Sequence, residues 1–278
     1  TIVFNVGTQI DTSRKAVEMA DRYENAYAVI GLHPIHTGAS YHDTKELGEG
    51  GKEFTSRGEI FDKDAYRGLL KDPKANKKIV GIGECGLDYY RCDEESIAKQ
   101  KDAFIAQIEI ANEFNKPLML HIRNGSTPST SSGQVSSPQA TRNAYFDALD
   151  ILKEHLDSKS LPADRRGDVH FFAGRLEEAK AFLDFGFTLS FTGVITFTHD
   201  YDEVIKNIPL NMIITETDSP YVAPVPYRGK RNEPSNIPLI AQRISELQGI
   251  SVEDVGIATS RAACALFGIT NHSSKDSV

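Results

Sequence analysis

Residues 78–90 read KIVGIGECGLDYY, and the fold turns on what the glycines of this stretch are for. A short apolar run enters Gly81-x-Gly83-x-x-Gly86, the spacing of a dinucleotide-binding loop. In such a loop the third glycine opens a helix whose N-terminus receives a pyrophosphate. Here Gly86 is followed by LDYYRCDEES, and the first helix signal stands near Ser96. Glu84 and Asp88 also place negative charge where a pyrophosphate would approach. The ribose-binding acid, due about 20 residues on at the end of a second strand, falls inside a helical pattern around residues 105–109. These features exclude a cofactor loop and leave Glu84 as the informative residue, presented at the C-terminal end of a strand.

Outward from this stretch, apolar β-branched runs alternate with longer helical patterns. Strands are expected over residues 2–6, 27–32, 79–83, 117–121, 168–172, 188–191 and 211–215. Several are apolar at nearly every position, as parallel strands buried on both faces must be. Helices are expected over residues 13–24, 96–115, 139–156, 176–185, 201–207, 237–248 and 252–267. This alternation predicts an α/β protein with a mainly parallel sheet, doubly wound or closed into a barrel. Residues 36–60 read as an extended loop, and the Ser/Thr-rich residues 124–138 as a flexible insertion. Residues 1–270 form a single domain in this reading, with 271–278 as a tail.

Four further strand endings resemble that of Glu84. VIGLHP carries His33, LMLHIR carries His121, VHFFAG carries His170 and MIITETDSP carries Asp218. Glu84, His121, His170 and Asp218 follow one another at intervals of roughly 40 to 50 residues, about one strand, loop, helix and return each. Parallel strands at that spacing deliver their ends to one face of a barrel, where barrel enzymes build active sites. Imidazole mixed with carboxylate suits zinc, manganese or magnesium, and carboxylates are able to bridge two ions. Cys85, with glycines close on either side and without a paired base, reads as a small buried residue. His36, His42, His155, His199 and His272 fall in polar segments expected to be exposed.

The 278 residues carry a net charge of −8, with 40% hydrophobic and 25% charged residues. That balance excludes a broad basic surface, so any contact with nucleic acid relies on a local patch or on cations that offset phosphate. Three cysteines make neither a disulfide framework nor a structural zinc cluster. No apolar run reaches membrane-spanning length, and a cytoplasmic protein is expected, nuclear or mitochondrial if the source is eukaryotic. No oligomer is indicated. The chain opens on the strand pattern TIVFNVG without Met, which suggests that an upstream piece has been removed.

The segments NVGT (5–8), GLHP (31–34), GECGLDYY (83–90), PLMLHIRN (117–124), HFFAG (170–174), ETDSPY (216–221) and RNEP (231–234) together resemble the TatD-related family of metal-dependent deoxyribonucleases, within the amidohydrolase-like barrels. The resemblance runs in family order to about residue 268. It implies a TIM-like (β/α) barrel, one or two divalent metal ions (Mg²⁺ first, Mn²⁺ or Zn²⁺ as alternatives) and DNA as substrate, cleaved as a 3′→5′ exonuclease or an endonuclease. Carried over by position, Glu84 bridges two metals, His121 and His170 hold one of them, and Asp218 binds the other and activates water. The catalytic residues are then Asp218 and Glu84, and His33 holds substrate phosphate. The family's first strand, which in many members bears a His-x-His pair, is absent from this sequence. That departure leaves the barrel short of a strand and favours one tight metal at Glu84, His121 and His170.

Arg123, Arg228, Lys230 and Arg231 stand out as cations in an acidic chain, and Arg123, Arg228 and Arg231 are candidates to track a DNA strand; a surface ion pair for Arg123 and a solvated loop for the others are the plain alternatives. Tyr89, Tyr90 and Tyr221 either stack bases or pack in the core or rim. Two other functions stay open on sequence: hydrolysis of a small ester, amide or phosphoester on the same barrel, and a non-catalytic relative.

Overall fold

A computed structural model describes residues 2–42, 53–90, 92–125, 142–157 and 166–269. Seven strands form one sheet: β1 (Val3–Val6), β2 (Ala26–Ile30), β5 (Ile79–Asp88), β6 (Leu118–Arg123), β7 (Gly167–His170), β8 (Phe187–Phe191) and β9 (Ile213–Thr215). They lie side by side in chain order and every pairing is parallel. The helices α1 (Ile10–Arg22), α4 (Glu94–Phe114), α5 (Ala144–His155), α6 (Leu176–Asp184), α7 (Asp202–Asn207), α8 (Ile237–Gln248) and α9 (Val252–Leu266) return the chain between or after these strands. This is the strand–helix succession of a (β/α) barrel. Among the described residues β1 and β9 are its two edges.

Both faces of the sheet are buried, which explains the near-continuous apolar strands. One set of side chains, including Ala28, Ile30, Leu118, Leu120 and Ile213, packs against the helices. The alternating neighbours Val29, Val80, Met119 and Ile214 form a second cluster on the opposite face, closed by Leu266 and Phe267 at the end of α9. Adjacent residues such as Leu118 and Met119 point to opposite faces because strand side chains alternate.

Two buried glutamines on α4 tie down the backbone at two strand ends. Gln100 accepts from the backbone N–H of Asp88 at 2.8 Å and donates to the Asp88 carbonyl at 2.9 Å. Seven residues on, two helical turns along the same face, Gln107 does the same for Leu32 at 2.8 and 3.0 Å. The GECGLD and GLHP segments are thereby tied to one helix.

The structure departs from expectation in three places. Strand β5 does not stop at residue 83 but runs to Asp88, so Glu84 lies within the strand, beside a register shift between Ile82 and Cys85. Glycine and Glu are poor strand formers, yet backbone pairing with β6 holds the segment extended. Residues 61–78, for which no element was expected, form α2 (Lys63–Lys71) and α3 (Pro73–Lys78); Asp62 and Asp72 cap them by accepting backbone N–H bonds. Within 36–60, β3 (Ser40–His42) pairs antiparallel with β4 (Phe54–Ser56). The insertion at 124–138 lies outside the described residues from 126 on, as does the 271–278 tail.

Tyr89, a candidate for base stacking, is instead buried in the core. Its hydroxyl donates to Asp147 on α5 at 2.7 Å, and Lys101 lies 3.0 Å from the same oxygen. Burial alone raises the Asp147 carboxyl, but Tyr89 and Lys101 outweigh it and hold the group below its ordinary range. A depressed carboxyl stabilises the fold above its unfolded value, near 4, and loses that contribution as pH falls through the folded value. Asp147→Asn is therefore expected to cost about 1 kcal/mol at pH 7. Urea titrations should show the deficit shrink as pH falls from about 4 through the folded value of this carboxyl; a deficit unchanged at acid pH would contradict this account.

Candidate metal centre

The register of the sheet sets Gly86, His121 and His170 in one row across β5, β6 and β7. Gly86 has φ +132°, and a Cβ there would stand 2.3 Å from the His121 carbonyl oxygen. Only glycine allows this approach. His33 follows β2, and Asp218 follows β9 in a left-handed conformation with φ +53° that few non-glycine residues adopt. The loop bearing Asp218 is clamped by Asn232, which is buried and donates to the carbonyls of Thr217 and Tyr221 at 2.7 and 2.8 Å. Within RNEP, Asn232 is thus a structural clamp, while Arg231 is exposed.

Glu84 lies at the centre, its side chain 13% exposed. Its Oε1 is 2.9 Å from His170 Nε2, and its Oε2 is 3.9 Å from His33 Nε2. His170 Nε2 is also 3.8 Å from Asp218 Oδ1. His33, Glu84 and His121 offer donor atoms within 4.8 Å of one another, and the His33 and His121 rings are 4.2 Å apart. Five of the sequence candidates therefore meet: Glu84, His121, His170, Asp218 and His33.

The three imidazoles are not equivalent, because each has one nitrogen committed elsewhere. His170 Nδ1 faces Glu216 Oε2 at 2.5 Å and donates to it, so Nε2, which faces Glu84 and Asp218, is the nitrogen that a cation would take in place of a proton. His121 Nε2 is 2.9 Å from the buried Asp88 carboxylate, which fixes its proton there and frees Nδ1. His33 is the reverse: its Nδ1 accepts from the Ile35 N–H at 3.2 Å, so its proton sits on Nε2 and points at Glu84. His33 thus offers the centre a hydrogen-bond donor, whereas His121 and His170 turn toward it the nitrogen that a cation would take.

Glu216 and Asp88 did not emerge from the sequence as site residues. Each lies two or four positions from a candidate, Glu216 from Asp218 and Asp88 from Glu84, a spacing that in extended chain places side chains on one side. Beneath Glu216 lies a further chain of groups. Its Oε1 accepts from Ser190 Oγ and from the Phe171 N–H, both at 2.7 Å. Ser190 Oγ is also 2.7 Å from Asp168 Oδ2, and Thr188 donates to Asp168 Oδ1 at 2.7 Å. A serine hydroxyl has one proton, so two carboxylate oxygens at that distance require a second, carried by a carboxyl.

The electrostatics follow from crowding buried charge. Burial would raise Glu84, but the neighbouring His170, then His33 and His121, hold it well below its ordinary range. Burial would lower His170, but Glu216 and Glu84 outweigh it and raise it well above the usual imidazole value. Burial, with His121 beside it, pushes His33 down to about 3. Asp218 goes up to about 7 through burial and the charges of Glu84 and Glu216, against His170. Asp168 likewise rises to about 7 through burial and Glu216.

These residues fit a divalent cation. Two donors at right angles on one octahedral ion, each about 2.1 Å from it, stand about 3 Å apart, which the 2.9 Å separation of Glu84 and His170 meets. Four buried or half-buried carboxyl groups around the histidines also call for positive charge.

The remaining candidates lie outward of this cluster. Arg123 is exposed at the end of β6 and stacks on Tyr90, 3.8 Å from its ring centre; Arg228 stacks on Phe197 at 3.9 Å. Tyr221 is exposed beside Asp218. His36, expected to be exposed, is buried, with Nδ1 2.9 Å from Ser56 Oγ, because the β3–β4 hairpin region folds back over it. His199 is exposed and paired with Asp202, His155 is half-buried, and Cys85 is buried as expected. The side chains of His42 and His272 lie outside the described set. Among the described residues no helix is long and apolar enough to cross a membrane.

A parallel sheet that gathers imidazole and carboxylate at the C-terminal ends of its strands is a framework on which barrel enzymes build active sites. The family model described as TatD related DNase matches residues 1–268, and the chain belongs to that family. It is 33% identical over 267 residues to YabD of Bacillus subtilis (strain 168), an uncharacterized metal-dependent hydrolase, across 95% of this chain and 86% of YabD. It is 28% identical over 270 residues to the 3′-5′ ssDNA/RNA exonuclease TatD of Shigella flexneri serotype 5b, across 95% of this chain and 86% of that protein. The crystal structure of YJJV, a TatD homolog from Escherichia coli K12, superposes with a TM-score of 0.72 at 21% identity, over 97% of this chain and 87% of that one. That likeness establishes the TIM-like barrel fold.

The close approach at Gly86 carries a prediction. Gly86→Ala must part β5 from β6 and is expected to destabilise by about 2–4 kcal/mol. Gly256→Ala, in α9 with open space around its Cβ, is expected to stabilise by about 0.5–1 kcal/mol. Chemical denaturation of both variants checks the contrast; equal stabilities would refute the packing constraint.

Proposed function

We propose that the chain is a divalent-metal-dependent deoxyribonuclease that hydrolyses the phosphodiester bonds of DNA. The observation that carries this reading is the shared Glu84 carboxylate, with His170 and Asp218 on one side and His33 and His121 on the other. Glu84, His121, His170 and Asp218 would hold one or two ions, and Mg²⁺ suits a carboxylate-rich set, with Mn²⁺ or Zn²⁺ as alternatives. A bound ion supplies Lewis acidity that polarises a phosphoryl oxygen and makes water a stronger acid.

The protein's own groups do the rest. Asp218, held by its loop toward the cluster, takes the proton from the attacking water. Neutral His33 donates its Nε2 proton to a phosphate oxygen. Arg123 and Arg228, each with its guanidinium over an aromatic ring, and the exposed Arg231 bind phosphates of the strand. They lie in or beside the loops that follow β6, β8 and β9, at the end of the sheet that bears the cluster. Family membership and the activity carried in the name of the Shigella relative support a nucleic-acid substrate.

Cleavage of labelled single- and double-stranded DNA with added Mg²⁺, Mn²⁺ or Zn²⁺ tests this directly. Glu84→Ala is expected to lower metal-dependent cleavage by about a hundredfold or more. Asp218→Asn is expected to lower kcat by at least about a hundredfold with a much smaller change in DNA binding. Full cleavage by Glu84→Ala, or hydrolysis of small phosphoesters but not DNA, would refute the assignment.

A further inference from the structure

The residues around His170 build a support that reaches well beyond the candidate ligands. Glu216 grips two consecutive residues at once: Oε2 faces the His170 Nδ1, and Oε1 accepts the N–H of Phe171. Phe171 has φ +46°, a conformation that costs a non-glycine residue free energy and persists only when its surroundings hold it. Glu216 is in turn held by Ser190 on β8, and Ser190 by the fully buried Asp168 on β7. The chain of bonds thus crosses from the end of β9 to β8 to β7 and ends on the strand that carries His170 itself.

From this geometry we infer that Glu216 is a positioning residue for metal binding, fixing His170 as the Nδ1–H tautomer, and that Ser190 and Asp168 lock Glu216 in place. The inference rests on the metal-centre reading above. Its chemistry is specific to a carboxylate. Glu216 must receive hydrogen bonds on both oxygens, from Phe171 and Ser190 on one and from His170 on the other. A glutamine of the same shape has one oxygen and one NH₂ group. With the NH₂ toward Phe171, it meets another donor. With the NH₂ toward His170, it forces Nδ1 to accept and moves the proton to Nε2, the atom that would bind a cation. Asp168 differs, because its Oδ2 supplies a proton to Ser190 when Ser190 donates to Glu216, and an asparagine NH₂ does the same.

Calorimetric titration of metal-stripped protein with Zn²⁺, with thermal unfolding as a check on folding, separates these roles. Glu216→Gln is expected to weaken Zn²⁺ binding about 10- to 100-fold, and Ser190→Ala about tenfold. Asp168→Asn is expected to stay within about threefold of the parent. Should Glu216→Gln fold poorly, Ser190→Ala alone decides. Parent-like Zn²⁺ affinity in folded Glu216→Gln, or in Ser190→Ala, would overturn the positioning role while leaving the metal centre intact. Absence of Zn²⁺ binding by the parent protein would overturn both.

Discussion

An ionised carboxylate taken out of water must be compensated at once, by charge and by hydrogen bonds, or it protonates. Glu84 is such a group, and much of the structure answers that demand in successive layers. Three imidazoles surround it. All three are themselves buried or half-buried, and Glu216 and Asp88 supply partners to His170 and His121. Those carboxylates are satisfied by Ser190, by the N–H groups of Phe171 and Tyr90, and through them by Asp168 and Thr188. The layers end on neutral hydroxyls and backbone, where no further charge has to be offset.

The parallel sheet makes this succession geometrically available. Neighbouring strands present side chains at the same height, so His121 and His170 face inward side by side, and Ser190 is brought within reach of both Asp168 and Glu216. The same alternation sends Val29, Met119 and Ile214 into an apolar cluster elsewhere on that face. Dry packing on one part of the face and charged groups on another lower the local dielectric, which strengthens each ion pair and raises the cost of leaving one unmade. Gln100 and Gln107 complete the device by holding the backbone at Asp88 and at Leu32.

Much of this was legible in the sequence. Apolar runs located the seven strands, and the common pattern of their endings placed five side chains in one cluster. The rest was hidden for identifiable reasons. Strand β5 is expected to end at residue 83 because Gly and Glu disfavour strands, yet pairing with β6 extends it through Asp88. Helices α2 and α3 are short and capped by single aspartates, a local signal too weak to stand out from the loop around them. Asp168 and Ser190 each look like ordinary polar residues within apolar strands, and only the register between β7 and β8 makes them partners. Tyr89 and Tyr90 are adjacent and chemically alike, but one faces the core and the other lies under Arg123.

The histidines show most clearly where residue identity stops and environment takes over. His33, His121 and His170 end similar strands and converge on one carboxylate, so spacing alone gives them one role. A backbone N–H on Nδ1 makes His33 a donor at Nε2, while Glu216 and Asp88 each draw the proton to the outer nitrogen of His170 and His121. The difference between a residue suited to hold phosphate and one suited to hold a cation is therefore set by which ring nitrogen its neighbour occupies. Those neighbours come from other strands or from the turn after GLHP, and substituting one of them changes the chemistry offered at the centre without altering any group that would touch the substrate.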